Sequence, residues 1–187
     1  MKRLFIAVKA EPEGDLLRMF SSLKSLLGTE SIKWVDPVNI HLTLAFLGDT
    51  EEKRIGILQR MLEEKCSGFG VFDFTLEGTG VFKSYRDPRV IWVGIRSPER
   101  LTMLYSTITE GLKHIGFELE ERQFRPHLTL GRVKSCRDKE NLKSVLEKYR
   151  DQQFQIIHVN EVILFESILT RTGPIYKSLG NFSLTNS

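Results

Sequence analysis

A chain of 187 residues with 41% hydrophobic and 27% charged residues carries enough apolar material for a packed core and too much for a disordered polymer. Its length suits one domain or two small lobes. The formal net charge of +3 is compatible with a phosphate-bearing partner without requiring one, and no apolar run is long enough to span a membrane.

In chain order, short apolar strands alternate with amphipathic helices. Residues 1–15, MKRLFIAVKAEPEGD, read as a first strand and not as a signal peptide, because Lys9, Glu11 and Glu13 interrupt the apolar run at once. Leu16, Leu17, Phe20, Leu23 and Leu27 follow at helical spacing, with Gly28 as a stop. Strands are expected at IKWV and IHLTLAFLG, on either side of an Asp36-Pro37 turn. Asp49 or Thr50 would cap a helix through EEKRIGILQRMLEEK. VFDFTLEGTGVF returns as strand, its Gly78 and Gly80 suggesting a bulge or bend.

The pattern then restarts, with a strand at RVIWVGI, a helix ending near Gly116, a strand at RPHLTLGRV and a helix at DKENLKSVLEKYR. Strand-like stretches FQIIHVNEVILFESIL and PIYKSLGNFSL close the chain. HLTL occurs twice, with its histidines at 41 and 127, 86 positions apart. Arg3 and Arg89, and Glu13 and Glu99, share that spacing. A common offset over three elements implies two similar units, roughly 3–82 and 89–184, within one two-lobed domain. Cys66 and Cys136 lack any disulfide or zinc spacing, which fits a reducing cytoplasm.

Strand alternation puts His41, Thr43 and Ala45 on one face and Leu42, Leu44 and Phe46 on the other. The second copy places His127, Thr129 and Gly131 together, with Leu128 and Leu130 behind. A single histidine on a strand is most often structural, and Thr is simply a good strand former. A pair in matching positions of a repeat is a different matter. Two imidazoles facing one cleft can take a proton from an attacking oxygen and give one to a leaving oxygen, while hydroxyls donate to the charge between them. A phosphodiester fits that arrangement with no metal, and no Asp, Glu or Cys shares the two His-x-Thr faces. His114, near a helix C-terminus, and His158, within an apolar strand, lack this context.

HLTLAFLG and HLTLGRV resemble the paired H-x-T-x signatures of the two-histidine (2H) phosphoesterases. The chain as a whole, through RLFIAV, GVF, RVIWVG and LTRTGPIYKSLGNFSL, is similar to the RNA 2′,3′-cyclic phosphodiesterases, or 2′-5′ RNA ligase-like proteins. That resemblance implies a bilobed, duplicated α+β fold of the LigT-like kind. In it, two antiparallel sheets line a central cleft and helices lie outside. It further implies hydrolysis of an RNA 2′,3′-cyclic phosphate to a 2′-phosphomonoester, with weak 2′-5′ ligation as the reverse reaction. His41 and His127 become the acid–base pair, Thr43 and Thr129 the phosphate donors, and no cofactor or metal is expected. Arg132 matches an arginine of the same family, although plain alternation turns it onto the leucine face unless the strand bends at Gly131.

Arg125 is a second cation for the cleft rim, or a solvated surface charge. Phe46, Phe82, Tyr85 and Trp92 are the candidates to stack on a base; core packing is expected for most, with Tyr85 the exposed one. The expected partner is RNA with a cyclic phosphate end or a related nucleotide, with no membrane and no protein partner, and the chain is expected to be a monomer. Competing readings are a 2H enzyme acting on a small cyclic nucleotide or a 2′-5′ oligonucleotide, and an RNA-binding module without catalysis.

Overall fold

The computed structural model describes residues 1–120 and 123–186. Among the described residues, nine strands and four helices run in the order β1 (Lys2–Lys9), α1 (Gly14–Leu26), β2 (Ser31–Trp34), β3 (His41–Thr50), α2 (Ile55–Cys66), β4 (Phe72–Ser84), β5 (Asp87–Arg96), α3 (Glu99–His114), β6 (Leu128–Ser135), α4 (Lys139–Glu147), β7 (Gln153–Val159), β8 (Glu161–Leu169) and β9 (Pro174–Ser183). They form a four-stranded sheet, β3-β1-β8-β9, and a five-stranded sheet, β2-β6-β5-β4-β7, antiparallel throughout. The sheets approach each other where β3 meets β6. Their outer faces share one core, to which Leu16, Met19 and Leu23 of α1 and Leu101, Leu104 and Ile108 of α3 contribute their helical stripes.

Each layer mixes both halves of the chain. The first half supplies β2 and β4 to the second sheet, and the second half supplies β8 and β9 to the first. Helices α2 and α3 pack on the first sheet, and α1 and α4 on the second.

The register refines the spacing of the repeat. On the helices, buried Leu16, Met19 and Leu23 correspond to Leu101, Leu104 and Ile108, 85 positions later. The strand pairs agree, since Ala7 faces Thr43 as Trp92 faces Thr129. Arg3 and Arg89, 86 apart, are therefore not in corresponding places, and neither are Glu13 and Glu99. The offset of 86 holds for the motif strands alone.

Two local expectations change. Asp49 and Thr50 do not cap a helix, because β3 runs through Thr50, and a 3-10 turn at Glu52–Arg54 intervenes before α2. Gly78, with φ +73°, forms the bulge in β4, where Glu77 and Thr79 pair with consecutive residues of β5. Gly80 serves a different purpose: a Cβ there would lie 2.4 Å from the indole of Trp92.

Candidate active site

The two motif strands begin identically. His41 accepts its orientation from a hydrogen bond between Nδ1 and the carbonyl oxygen of Asn39, 2.7 Å away, and His127 from one to Arg125, 2.6 Å away. A carbonyl only accepts, so each Nδ1 carries the proton. Neither Nε2 has a partner among the described residues. The sequence signal for these anchors is weak, because backbone oxygens do the work.

The rings are braced by aromatic neighbours. His41 sits 4.9 Å from the ring of Phe5 and 5.2 Å, edge-on, from Tyr176. His127 stands edge-on to Phe82 at 4.5 Å, and Phe82 leans on Trp92. Phe5, Phe165 and Tyr176 were not singled out in the sequence. Their signal is the alternation in β1, where Leu4, Ile6 and Val8 enter the core while Phe5 joins the ring cluster on the cleft side.

Just past the threonines, both strands bulge. Ile6 and Ala7 pair with Ala45 and Thr43, so Leu44 is an extra residue in β3. Ile91 and Trp92 pair with Gly131 and Thr129, so Leu130 is the extra residue in β6. A bulge reverses the alternation beyond it. Leu44 and Ala45 are consequently both buried, as are Leu130 and Gly131. This corrects the expectation that Ala45 and Gly131 share the histidine face. A Cβ on Gly131 would meet Ile32 at 2.8 Å and Trp34 at 3.0 Å, on the helix side of the sheet.

The same reversal carries the next residue into the cleft. In β6 that residue is Arg132, exposed and close enough for its charge to act on His41, His127 and Tyr176. The bend that plain alternation lacked is the bulge. In β3 the corresponding residue is Phe46, 67% exposed beside Phe5. The expectation of a core-facing Phe46 and an exposed Tyr85 is thus inverted, since Tyr85 is half-buried and packs against the core.

Burial holds both imidazoles below their ordinary pKa, because a charged ring loses its water. The anchoring carbonyls oppose that shift, and the nearby Arg132 adds to it; at His41 the charge of His127 adds further. Thr43 and Thr129 are half-buried on the same faces as the histidines. The guanidinium of Arg125 is exposed, its closest partner being Gln123 at 3.4 Å, so the clearest role of this residue is its backbone oxygen. His114 ends α3 on the surface, and His158 is exposed and paired with Asp73 at 2.6 Å. Among the described residues no group of three or more His, Cys, Asp or Glu is placed to hold a metal ion.

The LigT-like phosphoesterase model matches residues 6–92 and again 93–176. The chain belongs to the LigT-like phosphoesterase family. It is 37% identical over 182 residues to an RNA 2′,3′-cyclic phosphodiesterase of Archaeoglobus fulgidus, covering 96% of this chain and 99% of the relative. It is 40% identical over 146 residues to one of Thermotoga maritima, covering 78% and 76%. Among solved structures, Escherichia coli LigT in its apo form superposes with a TM-score of 0.75 at 25% identity, covering 99% of this chain and 98% of that one. Both copies of the motif lie inside the two matched segments.

Proposed function

We propose that this LigT-like protein hydrolyses the 2′,3′-cyclic phosphate at an RNA end to a 2′-phosphomonoester, by acid–base catalysis between His41 and His127. The observation that carries this reading is the twin anchoring of the rings. Each Nδ1 is held by a backbone carbonyl, each Nε2 has no partner among the described residues, and each threonine lies two residues further on the same face. Relatives that bear the name RNA 2′,3′-cyclic phosphodiesterase at 37% and 40% identity support the same reaction here.

In the mechanism, Nε2 of neutral His127 takes a proton from water as the water oxygen bonds to phosphorus. The bond from phosphorus to the 3′ oxygen breaks, and Nε2–H of protonated His41 gives its proton to that oxygen. Thr43 and Thr129 donate to the non-bridging oxygens, where negative charge grows. Arg132 adds a fixed positive charge on the second strand, and Phe46 offers a ring face on the first. The reverse reaction joins a cyclic phosphate end to a 5′-hydroxyl as a 2′-5′ linkage.

No helix among the described residues is long and apolar enough to cross a membrane, and both cysteines are free, in keeping with a cytoplasmic setting. The reading is tested by incubating an RNA with a 2′,3′-cyclic phosphate end with the protein in the presence of EDTA. Opening of the ring is expected; a reaction that stops on chelation and returns with added zinc or magnesium would replace the two-histidine mechanism by a metal-dependent one.

A further inference from the structure

Lys33 of β2 and Arg132 of β6 face each other directly across an antiparallel pair. Their neighbours Ile32, Trp34, Gly131 and Val133 turn toward the helix side, where Trp34 meets Phe20 of α1. Lys33 therefore shares the cleft face with Arg132, and both are exposed. Directly opposed residues bring their Cβ atoms to about 4.5–5.5 Å, and like charges there destabilise the sheet.

No acid offsets them among the described residues. Asp87 is taken by Lys83 and Arg89 at the β4–β5 turn. The carboxylate of Glu30 accepts the backbone N–H groups of Arg137 and Asp138. Asp36 caps the turn before β3 through Val38 N–H. An unfavourable cation pair kept beside a catalytic cleft, on the edge strand of its sheet, is explained by an anion that joins both charges in the complex.

We infer that Lys33 and Arg132 together bind the phosphodiester on the 5′ side of the terminal nucleotide, so that the RNA strand leaves the cleft across β2. This rests on the phosphodiesterase reading above and deepens it: the preferred substrate is an oligonucleotide end and not a cyclic mononucleotide. The spacing suits it. With Leu130 as the bulged extra residue, Arg132 stands two paired positions beyond Thr129, about 7 Å along the strand direction, and Lys33 lies one strand, about 4.8 Å, further out. A lysine stem bridges part of that gap toward the next phosphate.

The test compares wild type, Lys33→Gln and Lys33→Arg on a short RNA with a 2′,3′-cyclic phosphate end and on a 2′,3′-cyclic mononucleotide, over a range of salt. Lys33→Gln is expected to lose several-fold in kcat/KM on the RNA alone. Its slope of log kcat/KM against log salt is expected to be shallower by about 0.7, the loss of one single-strand phosphate contact. Lys33→Arg restores that slope. In the RNA-free protein, Lys33→Gln raises the melting midpoint, because one of two opposed charges is gone. Unchanged RNA kinetics, an equal loss on both substrates or a lowered midpoint would each overturn the inference. A wild type that opens neither substrate defeats the phosphodiesterase reading instead. The subsite is then read by fluorescence anisotropy with an RNA ending in a 2′-phosphate, where equal binding by wild type and Lys33→Gln overturns it.

Discussion

His41 and His127 are held by the same hydrogen bond, from Nδ1 to the carbonyl oxygen two residues earlier, at 2.7 and 2.6 Å. That bond leaves Nε2 as the nitrogen without a partner among the described residues, and it makes two rings from distant parts of the chain chemically alike. What distinguishes them lies just beyond, where the bulges turn Arg132 into the cleft on one side and Phe46 on the other.

The pH dependence follows from the depressed imidazoles. The proposed mechanism needs one ring neutral and the other protonated, so kcat/KM is expected to peak between their two free-enzyme values. Both lie below the ordinary value of about 6.5, which puts the maximum on the acid side of it. Arg132 contributes to both depressions, and a cation disfavours the imidazolium, so Arg132→Gln raises both values and moves the profile toward alkaline pH. A kcat/KM profile of the variant that stays in place, with histidine resonances that titrate as in wild type, would refute this electrostatic coupling.

Thr43→Val and Thr129→Val each remove a hydroxyl while keeping a side chain suited to a strand. Each is expected to lower kcat by about a hundredfold, the usual cost of one donor to a developing charge. Folding should be retained, and Thr→Ser at either position should recover most of the rate. Steady-state kinetics beside circular dichroism decide the matter, and a Val variant with near wild-type kcat would remove that threonine from the mechanism.

Gly131→Ala tests the bulge. Its Cβ would press on Ile32 at 2.8 Å and Trp34 at 3.0 Å. Overpacking of this kind costs about 1–3 kcal/mol, and the shift of β6 carries Arg132 with it. A lower denaturation midpoint together with reduced kcat/KM is expected. Full stability and activity would mean that the strand accommodates the methyl group without moving Arg132.

Phe46 is 67% exposed and stands where the other strand has Arg132. Stacking of a base on such a ring contributes about 1–3 kcal/mol, so Phe46→Ala is expected to raise KM by roughly 5- to 140-fold with little effect on stability. An unchanged KM, measured on a 2′,3′-cyclic phosphate RNA, would show that the ring does not meet the substrate.

Much of this arrangement is legible in the residues. The strand and helix order, the two His-x-Thr faces and the bulge at Gly78 follow from periodicity, because side-chain alternation and glycine chemistry are local properties. The direction of Arg132 and Phe46 is not local. It depends on a bulge that exists only when β3 pairs with β1 and β6 with β5, so simple alternation misplaced both, along with Ala45 and Gly131. Sheet membership is equally remote from the residues: that β2 edges the second sheet is a matter of long-range pairing. Lys33 in SIKW reads only as a surface lysine until Arg132 is seen opposite it. The coincidence of Arg3 with Arg89 shows the converse hazard, since two arginines share the spacing of the motif histidines while the register sets them one residue out of correspondence.

Whether His41 and His127 together open a cyclic phosphate is read from the product. An RNA ending in a 2′,3′-cyclic phosphate is incubated with wild type, His41→Ala and His127→Ala, and the ends formed are separated as 2′- or 3′-phosphates. Wild type is expected to yield the 2′-phosphate, and each variant to lose at least a hundredfold in rate, the lower range for one acid or base. A 3′-phosphate product, or wild-type turnover in either variant, would contradict the account.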